Sequence, residues 1–470
     1  MAKKKTGSRS FGSFSGVFVP TFLSIVGVIL FLRLGFIVGS TGVLGTIIII
    51  LLSVSVTLST GLSISSIASN IRIGAGGAYS IISKTLGLEV GGSVGIPLYL
   101  AQTFSVALYI FGFAESWMFL FPDSKFMTVL MGAFLFLFIL IVISTKIAVK
   151  VQLAVFALIV FVLVLVLLGG GIFQGQMTVP LFTSNPEFSF WSLFALFFPA
   201  VTGLMAGIGL SGELKDPKRQ IPRGILYGLM VTTIIYIAVV IWFGYSASPV
   251  ELVQNRLIIV ELSAFPFAVL LGILAATFSS ALTTLVAAPR VLQALAENSV
   301  VPFSDFLAKK TKDGEPRNAI WFTCFIIILI LFLGSLDSIA QILTMFFLIT
   351  YAMINVSVFI EQYLGLMSFR PTFKISKLIP FYGAIMSVII MLLINVSAGI
   401  IAVAFMAGMY MLLVKKTLKR KEGDVRSGLF RAISEWAAKK TMSLPSTRHV
   451  WKPNILIPVL TTRTLFGNFP

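Results

Sequence analysis

Two clusters of small and polar residues stand where an apolar chain would otherwise carry leucine. The stretch Val17 to Gly39 holds Pro20, Ser24 and Gly27, and Phe194 to Leu210 holds Pro199, Thr202, Gly203, Gly207 and Gly209 at a similar depth. Each such residue weakens a helix's hydrogen-bond ladder or puts a polar group in hydrocarbon. Two spans interrupted near mid-membrane, in corresponding positions of two halves, are the sequence mark of a secondary transporter's binding site. The competing reading is close helix packing through small residues. The chemistry expected here is binding and not bond-making. Cys324 is the only cysteine and His449 the only histidine, so a transition-metal cluster, an intrachain disulfide and an enzyme's catalytic constellation are not expected.

The elements that must position these residues follow from composition. Apolar residues make up 57% and charged residues 11% of the 470, with a mean hydropathy of +1.02, far from any soluble globular domain. The fold class expected is all-α integral membrane. The first span is longer than a signal-peptide core and has no small-residue cleavage site, so it belongs to the mature chain. Apolar segments of about 20 residues number twelve: 17–39, 42–68, 92–120, 125–145, 148–172, 191–211, 224–246, 264–296, 318–334, 338–363, 378–396 and 398–415.

The formal charge of +18 is not spread evenly. Lys3, Lys4, Lys5 and Arg9 precede the first span, and further cations fall in alternate loops: Arg72 and Lys84, Lys146 and Lys150, Lys215 to Arg223, Lys309 to Arg317, and Arg370 to Lys377. The opposite loops hold Lys125 and Arg256, with Asp123, Glu251, Glu261 and Asp337 nearby. The positive-inside rule therefore places both termini in the cytoplasm, and no nucleic acid is needed to explain the charge.

Gly169 to Gly171 and the polar segment Gln174 to Phe190 separate two halves of five spans. An odd number per half inverts the second against the first, giving a 5+5 inverted repeat with broken helices 1 and 6 and two extra helices. The layout expected is a basic cytoplasmic tail, 1–10, a twelve-helix domain, 11–417, and a cytoplasmic C-terminal segment, 418–470. In that segment Trp451 to Leu460 alternates like a strand, which alone makes no sheet, so a soluble domain cut short is expected. The motif GAGGAY, Gly74 to Tyr79, is expected to turn tightly beside the cytoplasmic mouth.

Several long stretches agree with one family. They are GVFVPTFLSIVGVILFLRLGFIVG, GAGGAYSIISKTLGLEVGGSVG, VALYIFGFAES, FFPAVTGLMAGIGLSGELKDPKRQIPRG, ATFSSALTTLVAAPRVLQALAENSVVP and FFLITYAMINVSVF, within residues 11 to 400. On these motifs the chain resembles the cation-chloride cotransporters of the amino acid, polyamine and organocation superfamily. The basic, cysteine-poor, short-looped character points to a prokaryotic member. The resemblance implies a LeuT-like fold with a central site between spans one, three, six, eight and ten, and symport of chloride with sodium, potassium or both by alternating access. It also implies a multi-pass plasma-membrane protein and a homodimer, whose partners are the lipid bilayer and the transported ions, without a cofactor.

The site residues come with the resemblance. Tyr109, Pro199, Thr202 and the Ile25 carbonyl match the family's potassium site, where Ser24 stands for a longer asparagine. Ser279 and Ser280, with the carbonyls of Ala276, Leu23 and Val26, match its sodium site, and the complete serine pair favours a sodium-coupled branch. Gly27, Val28 and Ile29 match one chloride site; Gly203, Leu204 and Met205, with the Tyr351 hydroxyl, match a second. Backbone amides at the start of a half-helix suit an anion. Arg33 and Glu115 are ionisable groups inside spans, which pair or line a pathway. The resemblance implies an extracellular gate; a fixed structural pair is the other reading. The rival function is an amino acid permease of the same fold, against which SIVGVI in span one lacks the glycine-rich break such permeases carry.

Overall fold

A computed structural model describes residues 12–70, 76–143, 145–169, 175–209, 214–311, 314–364 and 369–416, with positions 434 and 437. The N-terminal tail 1–10, Arg72, the start of GAGGAY, Gly170 and Gly171, and the strand-like Trp451 to Leu460 lie outside the described residues. The helices in chain order are α1 Val19–Ile25, α2 Val28–Leu32, α3 Leu34–Asn70, α4 Ala78–Leu86, α5 Leu88–Leu120, α6 Phe126–Ile143 and α7 Thr145–Leu168. They continue with α8 Phe190–Phe197, α9 Leu204–Gly209, α10 Pro217–Ser246, α11 Pro249–Gln254, α12 Ile258–Glu261 and α13 Pro266–Glu297. The last are α14 Ser304–Leu307, α15 Arg317–Leu333, α16 Leu336–Leu364, α17 Leu378–Ile394 and α18 Val396–Lys415. Helices are what hydrocarbon demands, because each backbone polar group is then paired within its own segment. Among the described residues eight helices are long and apolar enough to cross a membrane, and four shorter apolar helices of 10–17 residues accompany them.

The first span is interrupted once in its middle. A π-turn, Phe14–Phe18, runs into α1 with no break in helical φ/ψ, so Pro20 sits inside a continuous helix, its missing N–H accommodated beside the widened turn. Pro20 is therefore not the break, which lies at Val26 and Gly27 between α1 and α2. α3 carries a sharp turn at Gly42, with φ +79°, so residues 34–41 continue the first span and 43–70 form the next. The segment expected as a linker straps onto that turn. Val43 and Leu44 amides donate to the Pro180 and Leu181 carbonyls at 3.2 and 2.9 Å. A Cβ at Gly42 would lie 2.6 Å from the Leu181 carbonyl oxygen.

The second interrupted span runs α8, a 3₁₀ turn Phe198–Val201, then α9. Both broken spans are almost wholly enclosed, packed by α5, α10, α13 and α16. Phe22, Phe31, Phe197, Phe198 and Trp242 are fully buried around them. The outer helices turn Leu135, Phe136, Phe325, Ile401 and Leu412 outward, as a lipid-facing surface requires. At the end that carries most of the lysines and arginines, Gly76 and Gly77 take positive φ of +93° and +55° before α4, the tight turn expected of that motif. A Cβ on Gly76 would come within 2.8 Å of Ala294 on α13.

Candidate functional site

The first break is an inverse γ-turn. Val26 has φ −82° and ψ 70°, and the Gly27 amide donates to the Ile25 carbonyl at 2.9 Å. The Tyr236 hydroxyl of α10 donates to the same carbonyl at 2.8 Å, so both lone pairs of that oxygen are engaged. Ser280 of α13 donates to the Leu23 carbonyl at 3.1 Å, and Tyr109 of α5 donates to the Ser24 carbonyl at 3.4 Å. Three scaffold helices thus satisfy carbonyls that the interrupted ladder leaves open.

The second break is held by its own residues and by one neighbour, α16, whose Thr344 donates at 2.7 Å to the Ala195 carbonyl that Pro199 leaves open. The Thr202 hydroxyl donates to the Pro199 carbonyl at 2.8 Å, and the Thr202 amide reaches the same oxygen at 3.3 Å. Tyr351 of α16 donates to the Thr202 carbonyl at 3.4 Å. Gly203 lets the two breaks touch. A Cβ there would lie 2.8 Å from the Ser24 Cβ and the Ile25 Cγ1, and 3.0 Å from the Ile25 nitrogen. One turn on, a Cβ at Gly207 would meet the Thr21 hydroxyl at 2.6 Å.

Beside the crossing lies a cavity of about 30 Å³, whose walls include Ser24, Tyr109, Thr202, Gly203 and Met205. The residues expected to hold potassium therefore divide: Ser24, Tyr109 and Thr202 border the cavity, while the Ile25 and Pro199 carbonyls are engaged in hydrogen bonds. Of the sodium set, Leu23 and Ser280 are bonded to each other, Val26 is the centre of the γ-turn, and Ala276 and Ser279 are buried on α13, which packs against α1. Of the chloride set, Val28 and Ile29 open α2, and Leu204 and Met205 open α9. First-turn amides have no intrahelical acceptor. The Gly27 amide is given to Ile25, and the Met205 amide, at 3.5 Å, and the Tyr351 hydroxyl both to the Thr202 carbonyl.

Arg33 follows α2 directly and is 4% exposed. Its guanidinium meets the Glu115 carboxylate in a fork, Nη1–Oε2 2.9 Å and Nη2–Oε1 3.0 Å, and its Nε reaches Asp337 Oδ1 at 2.5 Å. Arg256 lies 3.9 Å from the other Asp337 oxygen and stacks 3.5 Å over the Phe36 ring. Burial, with Arg33 beside it, pushes the Arg256 guanidinium below its ordinary value. The pair read from sequence is thus part of a four-charge cluster. Asp337 and Arg256 were legible only as loop charges, yet arginine's five donors exceed what one carboxylate can accept, and that surplus was a signal for a second acid. Tyr236 carried no signal beyond a hydroxyl in an apolar span.

Two helices broken at mid-span, crossing inside a scaffold of unbroken ones beside a small polar cavity, are the arrangement in which secondary transporters build their binding sites. The sequence matches the amino acid permease family over residues 16–430. It is 33% identical to mouse solute carrier family 12 member 1 over 459 residues, covering 84% of this chain and 42% of that protein. It is 30% identical to rice cation-chloride cotransporter 1 over 528 residues, covering 99% of this chain and 53% of the relative. Among solved structures, the closed, bromovinylhydantoin-bound form of Mhp1, a nucleobase-cation-symport-1 family transporter, superposes with TM-score 0.51 at 15% identity, covering 86% of this chain and 94% of that one. That likeness concerns the fold. The chain belongs to the amino acid permease family, on its cation-chloride cotransporter branch. It spans about half the length of the curated relatives it matches.

Proposed function

We propose that the protein is a secondary active symporter that moves chloride with sodium and potassium by alternating access. The observation that carries this reading is the crossing of the breaks, where carbonyls, hydroxyls and half-helix amides converge beside a cavity of about 30 Å³. That space suits inorganic ions and is too small, in this conformation, for an amino acid. Potassium lies among Ser24, Ile25, Tyr109, Pro199 and Thr202, and sodium among Leu23, Val26, Ala276, Ser279 and Ser280. Chloride sits on the amides of Gly27, Val28 and Ile29, and on those of Gly203, Leu204 and Met205 with the Tyr351 hydroxyl, once Gly27 releases the Ile25 carbonyl and Met205 and Tyr351 release that of Thr202. Filling cation and anion sites together reduces the cost of moving either through low dielectric.

In this reading the eight long and four shorter apolar helices make twelve spans, the first ten in a 5+5 inverted repeat. The basic end faces the cytoplasm of a plasma-membrane protein with both termini inside. The Arg33 cluster, extended to Asp337, then closes the extracellular side, and the chain works as a homodimer through α17 and α18. Chloride-36 uptake into proteoliposomes tests the function, with sodium and potassium varied independently and valinomycin clamping the voltage. Uptake that requires both cations is expected. Absence of chloride flux under every cation condition would overturn it.

A further inference from the structure

A second and larger hollow lies away from the crossing, where α5, α6 and α13 meet at the end opposite the basic one. Its volume is about 560 Å³, within the roughly 300–1,000 Å³ that organic ligands occupy and far beyond what a bare ion fills. α6 turns one face to it, for Lys125, Thr128, Gly132 and Phe136 recur at helical spacing. Gly132 makes the space, since a Cβ there meets nothing within 4 Å. Rings from all three helices wall the hollow and brace one another: Phe278 lies 5.3 Å from Phe136 and 6.1 Å from Phe113, and Phe113 lies 5.9 Å from Trp117. Packed rings of this kind hold their places and do not collapse inward.

The lining changes character along α6. Ser124, Lys125 and Thr128 stand at the mouth, with Lys125 and Thr128 exposed. Among the described residues the Lys125 ammonium makes no ion pair, Asp123 two positions away included. Arg256, the other cation of that end's loops, is taken by Asp337 and the Phe36 ring. Below the mouth the walls are apolar. Eleven residues separate Lys125 from Phe136, about 16 Å of helix, against about 15 Å for half of a membrane's hydrocarbon core. Phe136 is 55% exposed, so the hollow opens sideways toward lipid. A cation above an apolar slot one leaflet deep matches an acyl chain beneath a phosphate. A free phosphate would leave the slot empty, and an apolar peptide would leave the ammonium bare.

We propose that this hollow is a specific phospholipid site, which takes one acyl chain of a lipid with a net negative headgroup and holds the phosphate on Lys125. Ser124 and Thr128 supply hydroxyls beside the ammonium, while a choline-bearing headgroup would bring its own cation against it. Trp117 stands in the aromatic wall, a ring suited to the boundary between hydrocarbon and headgroups. The site is separate from the crossing and does not depend on which ions move. Phe113 and Trp117 flank Glu115, and Phe278 precedes Ser279 and Ser280, so the lipid lies against the two helices that carry those residues.

Native mass spectrometry of the delipidated full chain in detergent tests the site, with dioleoyl phosphatidylglycerol and dioleoyl phosphatidylcholine added in turn. One phosphatidylglycerol per chain is expected, bound at least about 5-fold more tightly than phosphatidylcholine. Gly132→Phe, whose ring enters the hollow, should weaken both lipids about 10-fold or more. Gly132→Leu reads the same quantity if the phenylalanine variant aggregates. Lys125→Gln should leave phosphatidylcholine binding within about two-fold of wild type and bring phosphatidylglycerol down to it. Leu135→Phe, on the same helix outside the hollow and facing lipid, should change neither. Phosphatidylglycerol binding within about two-fold of wild type in both Gly132 variants would overturn the site. Equal losses in Gly132→Phe and Leu135→Phe would overturn it too, as the mark of a non-specific annulus, and so would equal affinity of the wild type for the two lipids. A Gly132→Phe chain that keeps its lipid but passes from dimer to monomer would assign the hollow to a second copy of this chain instead. None of these readouts contains a transport step, so absent chloride flux bears on the symport reading alone.

Discussion

At the first break three neighbouring helices hold the chain, and at the second one does, beside the bonds the chain makes with itself. Leu23, Ser24 and Ile25 receive hydrogen bonds from Ser280, Tyr109 and Tyr236, on α13, α5 and α10. The second break has a proline and a 3₁₀ turn of its own, fastened by Thr202 onto Pro199 and touched from outside by one helix, α16, through Tyr351 and through Thr344, which donates at 2.7 Å to the Ala195 carbonyl that Pro199 leaves without an amide. A break imposed by its surroundings is remade whenever the surroundings shift. A break written into local sequence travels as a unit. The first is therefore the natural place for scaffold motion to alter ion affinity, and the second the natural pivot.

The glycines give the sharpest test, with the largest effect. At Gly203 a methyl group would press on Ser24 and Ile25 at 2.8 Å and on backbone nitrogen at 3.0 Å. At Gly27, whose φ is −135°, a Cβ would meet its nearest neighbours, the Leu23 and Ser24 carbonyls and the Ser280 hydroxyl, at 3.5, 3.7 and 3.8 Å, which is ordinary contact. Overpacking costs about 1–3 kcal/mol. Gly203→Ala should lower chloride uptake by about 10-fold or more, while Gly27→Ala should stay within about 3-fold of wild type. The reverse order would break the comparison.

The outer half of the first broken span is also tied down by charge, for Arg33 follows α2 and joins Glu115 on α5 to Asp337 on α16. Removing the guanidinium leaves two partly buried carboxylates facing each other. Arg33→Ala should abolish most transport and leave the unfolding midpoint of the purified protein less affected; Arg33→Lys should restore only part, since an ammonium cannot make the fork. Transport unchanged in Arg33→Ala and in Glu115→Ala would mean that the cluster is a fixed strut. A smaller and more selective effect is expected at the sodium set. Ser280→Ala removes a hydroxyl bonded to the Leu23 carbonyl, so the sodium KM should rise about 10-fold while the potassium KM moves little. Equal shifts for both cations would make Ser280 a packing residue.

How much of this was legible in sequence follows the same division. Pro199, Thr202 and Gly203 announce the second break because they make it locally. Gly27 announces the first, but Pro20 misleads, since the helical backbone runs from the π-turn through it to Ile25. The helix boundaries fall near the apolar segments because hydrocarbon thickness sets them. The widest differences at helix starts are those of α10, Pro217 against an expected 224, and of α5, Leu88 against 92, where the helix runs on beyond the apolar stretch; the first span ends beside the turn at Gly42, which carbonyls from Pro180 and Leu181 hold. Tyr236 and Asp337 were not legible as site residues. They bond to Ile25 and Arg33, 211 and 304 positions away in the chain, and one sequence carries no record of that proximity.

Tyr236 offers the finest probe of the comparison, with the smallest expected effect. Its hydroxyl takes one of two lone pairs on the Ile25 carbonyl, the Gly27 amide taking the other. Tyr236→Phe keeps the ring, which packs edge-on against Phe197 at 5.3 Å, and removes only the donor. A hydrogen bond of this kind is worth about 1 kcal/mol net, so the unfolding midpoint should fall slightly and the turn at Val26 should persist. Freeing a lone pair at the carbonyl expected to bind potassium should shift the potassium KM by only a few-fold. The equivalent change at the second break, Tyr351→Phe, removes a longer bond, 3.4 Å, from a turn that Thr202 already holds, and should disturb potassium less. It should raise the chloride KM instead, because that hydroxyl belongs to the proposed anion set. Potassium and chloride responses that coincide in the two variants would show that the breaks are not held differently, and that the ions sense the crossing as one site.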